Sequence, residues 1–278
     1  MAELLFGTGG VPHSAKDSSV LSGIRRISEL GLGNLEVEFV HGVRTGEEKC
    51  RLYGETARKL GVALTCHGPY YINLNSAEPE KKEASIKRVL NTARAAHWMG
   101  AESFTFHAAF FMKQDPEQVY GVVRRAVEGI LEEMAREGID SAKLSPELTG
   151  KATQWGSLEE LIRICRDLDG VHPCIDFAHN HARSGGEENS YEEFCATLEA
   201  ISSGLGREYL DRLHIHVSGI EYSAKGERRH LVLTESDLKY KELLQALKEF
   251  GVGGTVVCES PNLEQDAALM KAAYEKLR

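Results

Sequence analysis

Val62-Ala-Leu-Thr-Cys-His67 is a short apolar run that begins after Gly61, ends in an imidazole and is followed at once by Gly68-Pro69. Its length and its flanking turn residues mark it as a buried strand. The same plan returns in Ser103-Phe-Thr-Phe-His107, Lys143-Leu-Ser-Pro-Glu147, Pro173-Cys-Ile-Asp176, Arg212-Leu-His214 and Thr255-Val-Val-Cys-Glu259. A single His or carboxylate at a strand end is ordinary. Six in succession, spread over most of the chain, are not explained by core packing. The parallel strands of a barrel deliver their C-terminal ends to one mouth, where residues far apart in sequence converge. Three imidazoles and three carboxylates at that mouth describe a multinuclear metal site.

Outward from these stretches, strand-like and helix-like segments alternate. Leu4-Leu-Phe-Gly7 reads as a first strand and Leu35-Glu-Val-Glu-Phe-Val40 as a second. Ser19 to Leu30 carries Val20, Leu21, Ile24, Ile27 and Leu30 at helical spacing and stops at Gly31. Further helices are predicted over 48–60, 80–99, 116–137, 158–168, 191–201, 238–250 and 263–277. Eight strands and eight helices in alternation call for parallel strands with helical crossovers. The expectation is an α/β protein, a (β/α)8 TIM barrel with residues 1–278 as one domain and the metal site at the strand ends. The rival, an open doubly wound sheet, has fewer strands and gathers ligands at one crevice rather than at six strand ends.

The 278 residues suit such a barrel, and 42% hydrophobic with 27% charged residues suits a soluble enzyme. No apolar run is long enough to span a bilayer. The start, Met-Ala-Glu-Leu-Leu-Phe, lacks a basic segment followed by an apolar one, so the expectation is a cytoplasmic protein without a signal peptide. Six cysteines form no C-x-x-C pair and no zinc-finger spacing. Cys66 and Cys258, each one residue before a strand-end ligand, should point away from the mouth and serve as small buried hydrophobes. A formal net charge of −9 argues against a broad electrostatic surface for nucleic acid. It leaves room for a local site, because bound divalent ions reverse the sign of a pocket.

Several local patterns carry chemistry. Gly7-Thr-Gly-Gly10 lacks the spacing of a phosphate-binding loop and reads as a tight turn. In the loop after His67, Tyr70 and Asn73 are candidates to face the mouth. Asp176 and His179 stand three residues apart and share a face if a helical turn opens there. In Leu213-His-Ile-His-Val217, His214 and His216 both point inward, and spacing alone does not decide which binds metal. His181 reads as solvent-exposed. Lys225-Gly-Glu-Arg-Arg-His230 reads as a basic loop, either a solvated charge run or a phosphate clamp of Arg228 and Arg229 beside a metal-binding His230. Glu259 closes an apolar strand, and a buried carboxylate needs a partner that a metal would supply.

These motifs resemble the endonuclease IV family, zinc-dependent apurinic/apyrimidinic endonucleases on a xylose isomerase-like TIM barrel. The resemblance runs from about His67 to Glu259. It rests on His67-x-x-Tyr70-x-Ile72-Asn73-Leu74, Cys174-Ile175-Asp176-x-x-His179, Leu213-His214 and Arg229-His230. It implies two or three zinc ions. His67, His107 and Glu147 would hold a first; Glu147, Asp176, His214 and Glu259 a second; His179 and His230 a third. It further implies Glu147 and Glu259 as catalytic carboxylates and Tyr70, Asn73, Arg228 and Arg229 as substrate contacts. The implied reaction is hydrolysis of DNA 5′ of an abasic site, by a monomer working in base excision repair. The chain departs from the family where Arg228 stands in place of an Asp, and Glu227 can substitute only if the loop shifts by one residue. It also lacks the Arg/Gln-rich, Trp-containing insertion after the second strand.

A second reading is a sugar isomerase or epimerase on the related barrel. Glu147, Asp176, His214 and Glu259 resemble the single-metal quartet of ketose 3-epimerases, whose glutamates move protons beside a carbonyl. Net acidity, Glu36 and Glu38 favour that enzyme. His67, His107, His179 and His230 favour the nuclease, because a one-metal enzyme needs no second set of ligands. A binding protein without catalysis would need no open metal cluster at all.

Overall fold

The computed structural model describes residues 3–277. Its first half runs β1 (Leu4–Gly9), α1 (Val20–Glu29), β2 (Asn34–Glu38), α2 (Glu47–Leu60), β3 (Ala63–His67), α3 (Pro79–Met99), β4 (Ser103–Phe106), β5 (Ala109–Phe110) and α4 (Pro116–Arg136). It continues with β6 (Lys143–Pro146), β7 (Gln154–Trp155), α5 (Leu158–Asp167), β8 (Cys174–Asp176), α6 (Phe177–Arg183) and α7 (Tyr191–Leu205). The last part holds β9 (Leu213–Val217), β10 (Gly219–Ser223), β11 (Gly226–Leu231), α8 (Tyr240–Glu249), β12 (Gly254–Cys258) and α9 (Glu264–Lys276).

Eight strands form one parallel sheet in the order β6-β4-β3-β2-β1-β12-β9-β8. Its two edges meet through bridges between Leu144 and Val171 and between Glu147 and Cys174, which close the barrel. The helices start and stop where local chemistry directs. Ser19 caps α1 by accepting the Ser22 N–H, Ser157 and Glu160 form a capping box on α5, and Pro79 and Pro116 open α3 and α4. Gly100 ends α3 in a left-handed conformation, φ 64°, which side chains other than glycine adopt at a cost. Gly7 has a different purpose: a Cβ there would collide with the Asn34 backbone, so glycine lets β1 and β2 approach.

Strand alternation sorts the side chains. Leu35, Val37, Leu64, Cys66, Phe104, Phe106, Ile215, Val217, Val256 and Cys258 are buried with helix residues such as Ile24, Ile27 and Ile130 in one apolar core. Cys66 and Cys258 thus behave as expected, and burial pushes both thiols up, Cys258 to about 12. The opposite positions are polar. Asn34, Glu36, Thr65, Thr105, Ser145, His214 and His216 are all buried, where barrels usually stack Val, Ile and Leu. This barrel trades apolar filling for a polar column beneath its mouth.

Candidate metal centre

Six strands bring ligand-capable groups to the C-terminal mouth. Glu147, one residue beyond β6 and almost fully buried, stands at the centre. Its Oε2 lies 3.0 Å from His67 Nε2, and its Oε1 lies 3.1 Å from His107 Nε2 and 3.2 Å from His179 Nδ1. Among the described residues five groups of ligand-capable side chains have their atoms within 4.8 Å of one another, and three of them lie at the mouth around Glu147 and His179: His67, His107 and Glu147; Glu147, Asp176, His216 and Glu259; and His179, Glu227 and His230. Asp176 ends β8 and caps α6, so the helical turn forms. Its Oδ1 accepts the His179 backbone N–H at 2.7 Å while Oδ2 is buried without a hydrogen-bond partner.

The ring tautomers are set by the backbone. His67 Nδ1 donates to the Gly68 carbonyl at 2.7 Å, His179 Nδ1 to that of Leu148 at 3.0 Å, and His230 Nδ1 to that of Glu259 at 3.1 Å. A carbonyl only accepts, so each Nδ1 carries the hydrogen and each Nε2 is left to bind a cation. His67 Nε2 and Glu147 Oε2 then face each other as two lone pairs, and a proton or a metal must lie between them.

The electrostatics agree. Burial pushes the Glu147 carboxyl up, but His107 and His216 outweigh it and hold it well below the carboxylate range. Burial depresses His67 and His179, yet Glu38 and Glu147 raise the first well above its usual value, and Asp176 with Glu147 raises the second to about 10. Burial, with Glu259 and Glu147 nearby, lifts Asp176 to about 6, and burial, with Glu36 and Glu259 nearby, lifts Glu38 to about 8. Each acid leans on cations and each ring on anions, the signature of a built charge cluster.

The structure corrects the sequence reading at several points. His216, not His214, joins Glu147 and Glu259: its Nδ1 lies 3.7 Å and 3.5 Å from their carboxylates. His214 sits one step lower, 2.8 Å from Glu36 Oε2 and 2.9 Å from Ser103 Oγ. His181 is fully buried and bonds Asp237 at 3.0 Å, rather than facing solvent. Asn73 is a brace: its Oδ1 accepts the N–H of Asn75 and of Phe110. Arg228 and Arg229 both pair with Glu221, at 2.7 Å and 2.6 Å, away from the cluster. Tyr70 is exposed at the rim, its ring centroid 6.2 Å from that of His67. Glu36 and Glu38 project from β2 into the site region, and the only sequence signal for them was their alternation with Val37.

The stretch read as a basic loop is strand β11, paired antiparallel with β10. Ile220 faces His230, Glu221 faces Arg229, and Tyr222 faces Glu227. Arg228 has no opposite partner and forms a β-bulge. The bulge resets the alternation, so Glu227 rather than Arg228 shares a face with His230 and reaches within 3.7 Å of His179 Nε2.

Comparison with known proteins places this geometry in context. The pattern of the xylose isomerase-like TIM barrel family matches residues 24–278. An "Uncharacterized protein" of Methanocaldococcus jannaschii is 42% identical over 277 residues, 99% of this chain and 98% of that one. The "Probable endonuclease 4" of Mycoplasma pneumoniae is 23% identical over 77% of this chain and 74% of its own length. Among solved structures, a D-tagatose 3-epimerase-like protein superposes with a TM-score of 0.71 at 19% identity, covering 97% of this chain and 96% of that one; at that identity the likeness is one of fold. No helix among the described residues is long and apolar enough to cross a membrane. The barrel, its polar mouth and the match over nearly the whole sequence agree: the chain belongs to the xylose isomerase-like TIM barrel family.

Proposed function

We propose that the chain is a zinc-dependent phosphodiesterase of the endonuclease IV kind, hydrolysing DNA on the 5′ side of abasic sites as a cytoplasmic monomer. The observation that supports this reading is three neighbouring ligand sets, two sharing Glu147 and the third joined to them by His179, whose Nδ1 lies 3.2 Å from Glu147 Oε1. The donor set fits zinc: imidazole nitrogens with preset tautomers, carboxylates, and the buried unpartnered atoms Asp176 Oδ2 and His216 Nδ1. Two or three ions bound there would supply Lewis acidity and make water a nucleophile near neutral pH.

In this reading His67, His107, Asp176, His179, His216, Glu227, His230 and Glu259 hold the ions, and Glu147 is shared between two sets. Glu147 and Glu259, both beside His216 Nδ1, are the carboxylates assigned to catalysis in this reading. Tyr70 stands at the rim beside His67, free to meet substrate. Phosphates flanking the cleaved bond would meet a groove of about 660 Å³ beside Glu227, lined by Lys151, Arg183, Lys225 and Arg228. Arg228 lines this groove while also pairing with Glu221, whereas Arg229 pairs with Glu221 and does not line it.

One observation favours a second reading, a sugar isomerase or epimerase with one ion. Glu147, Asp176, His216 and Glu259 suffice for a single metal, and half-buried Glu38, pushed to about 8, would carry a proton beside them. Elemental analysis of untagged protein purified without chelator separates the two. Two or three zinc ions per chain, with abasic-site cleavage abolished by His107→Ala, support the nuclease. One manganese, magnesium or cobalt per chain with ketose epimerisation overturns it.

A further inference from the structure

The histidine of the central set is oriented differently from its neighbours. His67, His179 and His230 each give the Nδ1 hydrogen to a backbone carbonyl. His216 does not. Its Nδ1 points up to Glu147 and Glu259 and has no hydrogen-bond partner, while its Nε2 points down the barrel axis. There it lies 3.0 Å from Glu36 Oε1. Glu36 comes from the middle of β2, and its other oxygen lies 2.8 Å from His214 Nε2. His214 is fixed in turn by Ser103 Oγ, 2.9 Å from its Nδ1. All four side chains are at least nine-tenths buried.

We propose that Glu36 is the positioning residue of the central metal set: it takes the Nε2 hydrogen of His216 and so leaves the Nδ1 lone pair aimed at the ion. The proposal rests on the metal-centre reading above. A neutral imidazole carries one hydrogen, and a carboxylate only accepts. A carboxylate facing Nε2 therefore fixes the hydrogen on Nε2 and bares Nδ1. The ring N–H directions are not aligned on the Glu36 oxygens, which are buried without another partner, although the separations are those of hydrogen bonds. The Nε2 atoms of His216 and His214 also lie 3.2 Å apart, both beside the Glu36 carboxylate. A charge in the middle of a barrel is costly unless paired. Two rings on one carboxylate supply the pairing, and only His216 continues to the mouth.

The test is zinc affinity by chelator competition on the full chain, with Glu36→Gln against wild type. Gln keeps the volume and removes the charge. The expected result is one zinc bound about 10- to 100-fold more weakly, with the remaining sites unchanged. Equal affinity per folded molecule, even with a lowered melting temperature, makes Glu36 merely structural and overturns the proposal. A second readout needs no variant: nitrogen-15 NMR of the zinc-loaded wild type. Hydrogen on Nε2 of His216 with zinc on Nδ1 supports the proposal, and the reverse overturns it. Wild-type protein that binds no zinc fails the metal-centre reading itself, an outcome separate from an insensitive Glu36→Gln.

Discussion

The bulge at Arg228 makes a sharp prediction, because it says that deleting a residue from a strand leaves zinc binding intact while changing its neighbour does not. In an unbroken strand, residues two apart share a face, so residue 228 would lie beside His230. With Arg228 bulged out, Glu227 lies there instead. Deletion of Arg228 restores a regular hairpin and places Glu227 two positions before His230, still on its face. The loss is the Arg228–Glu221 pair, whose side chains are 63% and 30% exposed, and such pairs contribute about 0–1 kcal/mol. Glu227→Gln instead removes one of the three ligands of its set. Four-ligand zinc sites bind with about 10–16 kcal/mol, so one ligand is worth roughly 3–4 kcal/mol, or about two to three powers of ten in affinity. Chelator competition with zinc on both variants measures the difference. The expected outcome is wild-type affinity for the deletion and a weakened third ion for Glu227→Gln. If the deletion loses an ion as Glu227→Gln does, or Glu227→Gln keeps full affinity, the bulge argument is wrong.

Other predictions follow from the same geometry. Gly150→Ala would place a Cβ 2.7 Å from that of Glu227 and 3.0 Å from His179 Cδ2; zinc stoichiometry should drop by the ion of that set, while circular dichroism stays unchanged. Trp155, fully buried in β7, should cost about 3–5 kcal/mol on truncation to Ala, read from the urea midpoint. His172 is held down to about 4, chiefly by burial and secondarily by Lys143 and Arg212. The unfolded chain binds that proton near 6.5, so between pH 6.5 and 4 it carries more protons than the fold and stability falls as pH falls. His172→Gln should flatten the dependence of melting temperature on pH in that window; an unchanged slope refutes the assignment.

The sequence was most legible where periodicity was strong. Val20, Leu21, Ile24, Ile27 and Leu30 marked α1 to within a residue, and the predicted helix over 80–99 matches α3 at Pro79–Met99. The six strand-end residues pointed to one mouth because strand direction alone fixes where a strand end goes. Depth along the barrel axis was not legible. His214 and His216 lie on the same face of β9, and only the length of the strand above each decides which reaches Glu147. Hairpin β10–β11 was missed because its charges, Glu221, Glu227, Arg228 and Arg229, hide a strand that packs one face on α6 and leaves the other in water. Glu36 was missed as a site residue because a buried glutamate and an exposed one look alike in sequence until the partners, here two histidines 178 and 180 positions away, are known.

The barrel is a hoop, and a hoop fails at its weakest join. Strands β9 and β12 share five paired positions. The join between β6 and β8 has only the bridges at Leu144–Val171 and Glu147–Cys174, with backbone bonds of 2.9 Å from His172 to Leu144 and from Leu148 to Cys174. The two side chains that crown this join are Glu147 and Asp176, members of one ligand set. An ion gripped by both would act as a rivet across the seam, turning a chemical group into a mechanical one. Without it, repulsion between two buried carboxylates pushes on the place where the fewest hydrogen bonds resist. Opening should begin there, so the amides of Leu148 and His172 should exchange with solvent faster once the ion is stripped, while those of β9 and β12 stay protected.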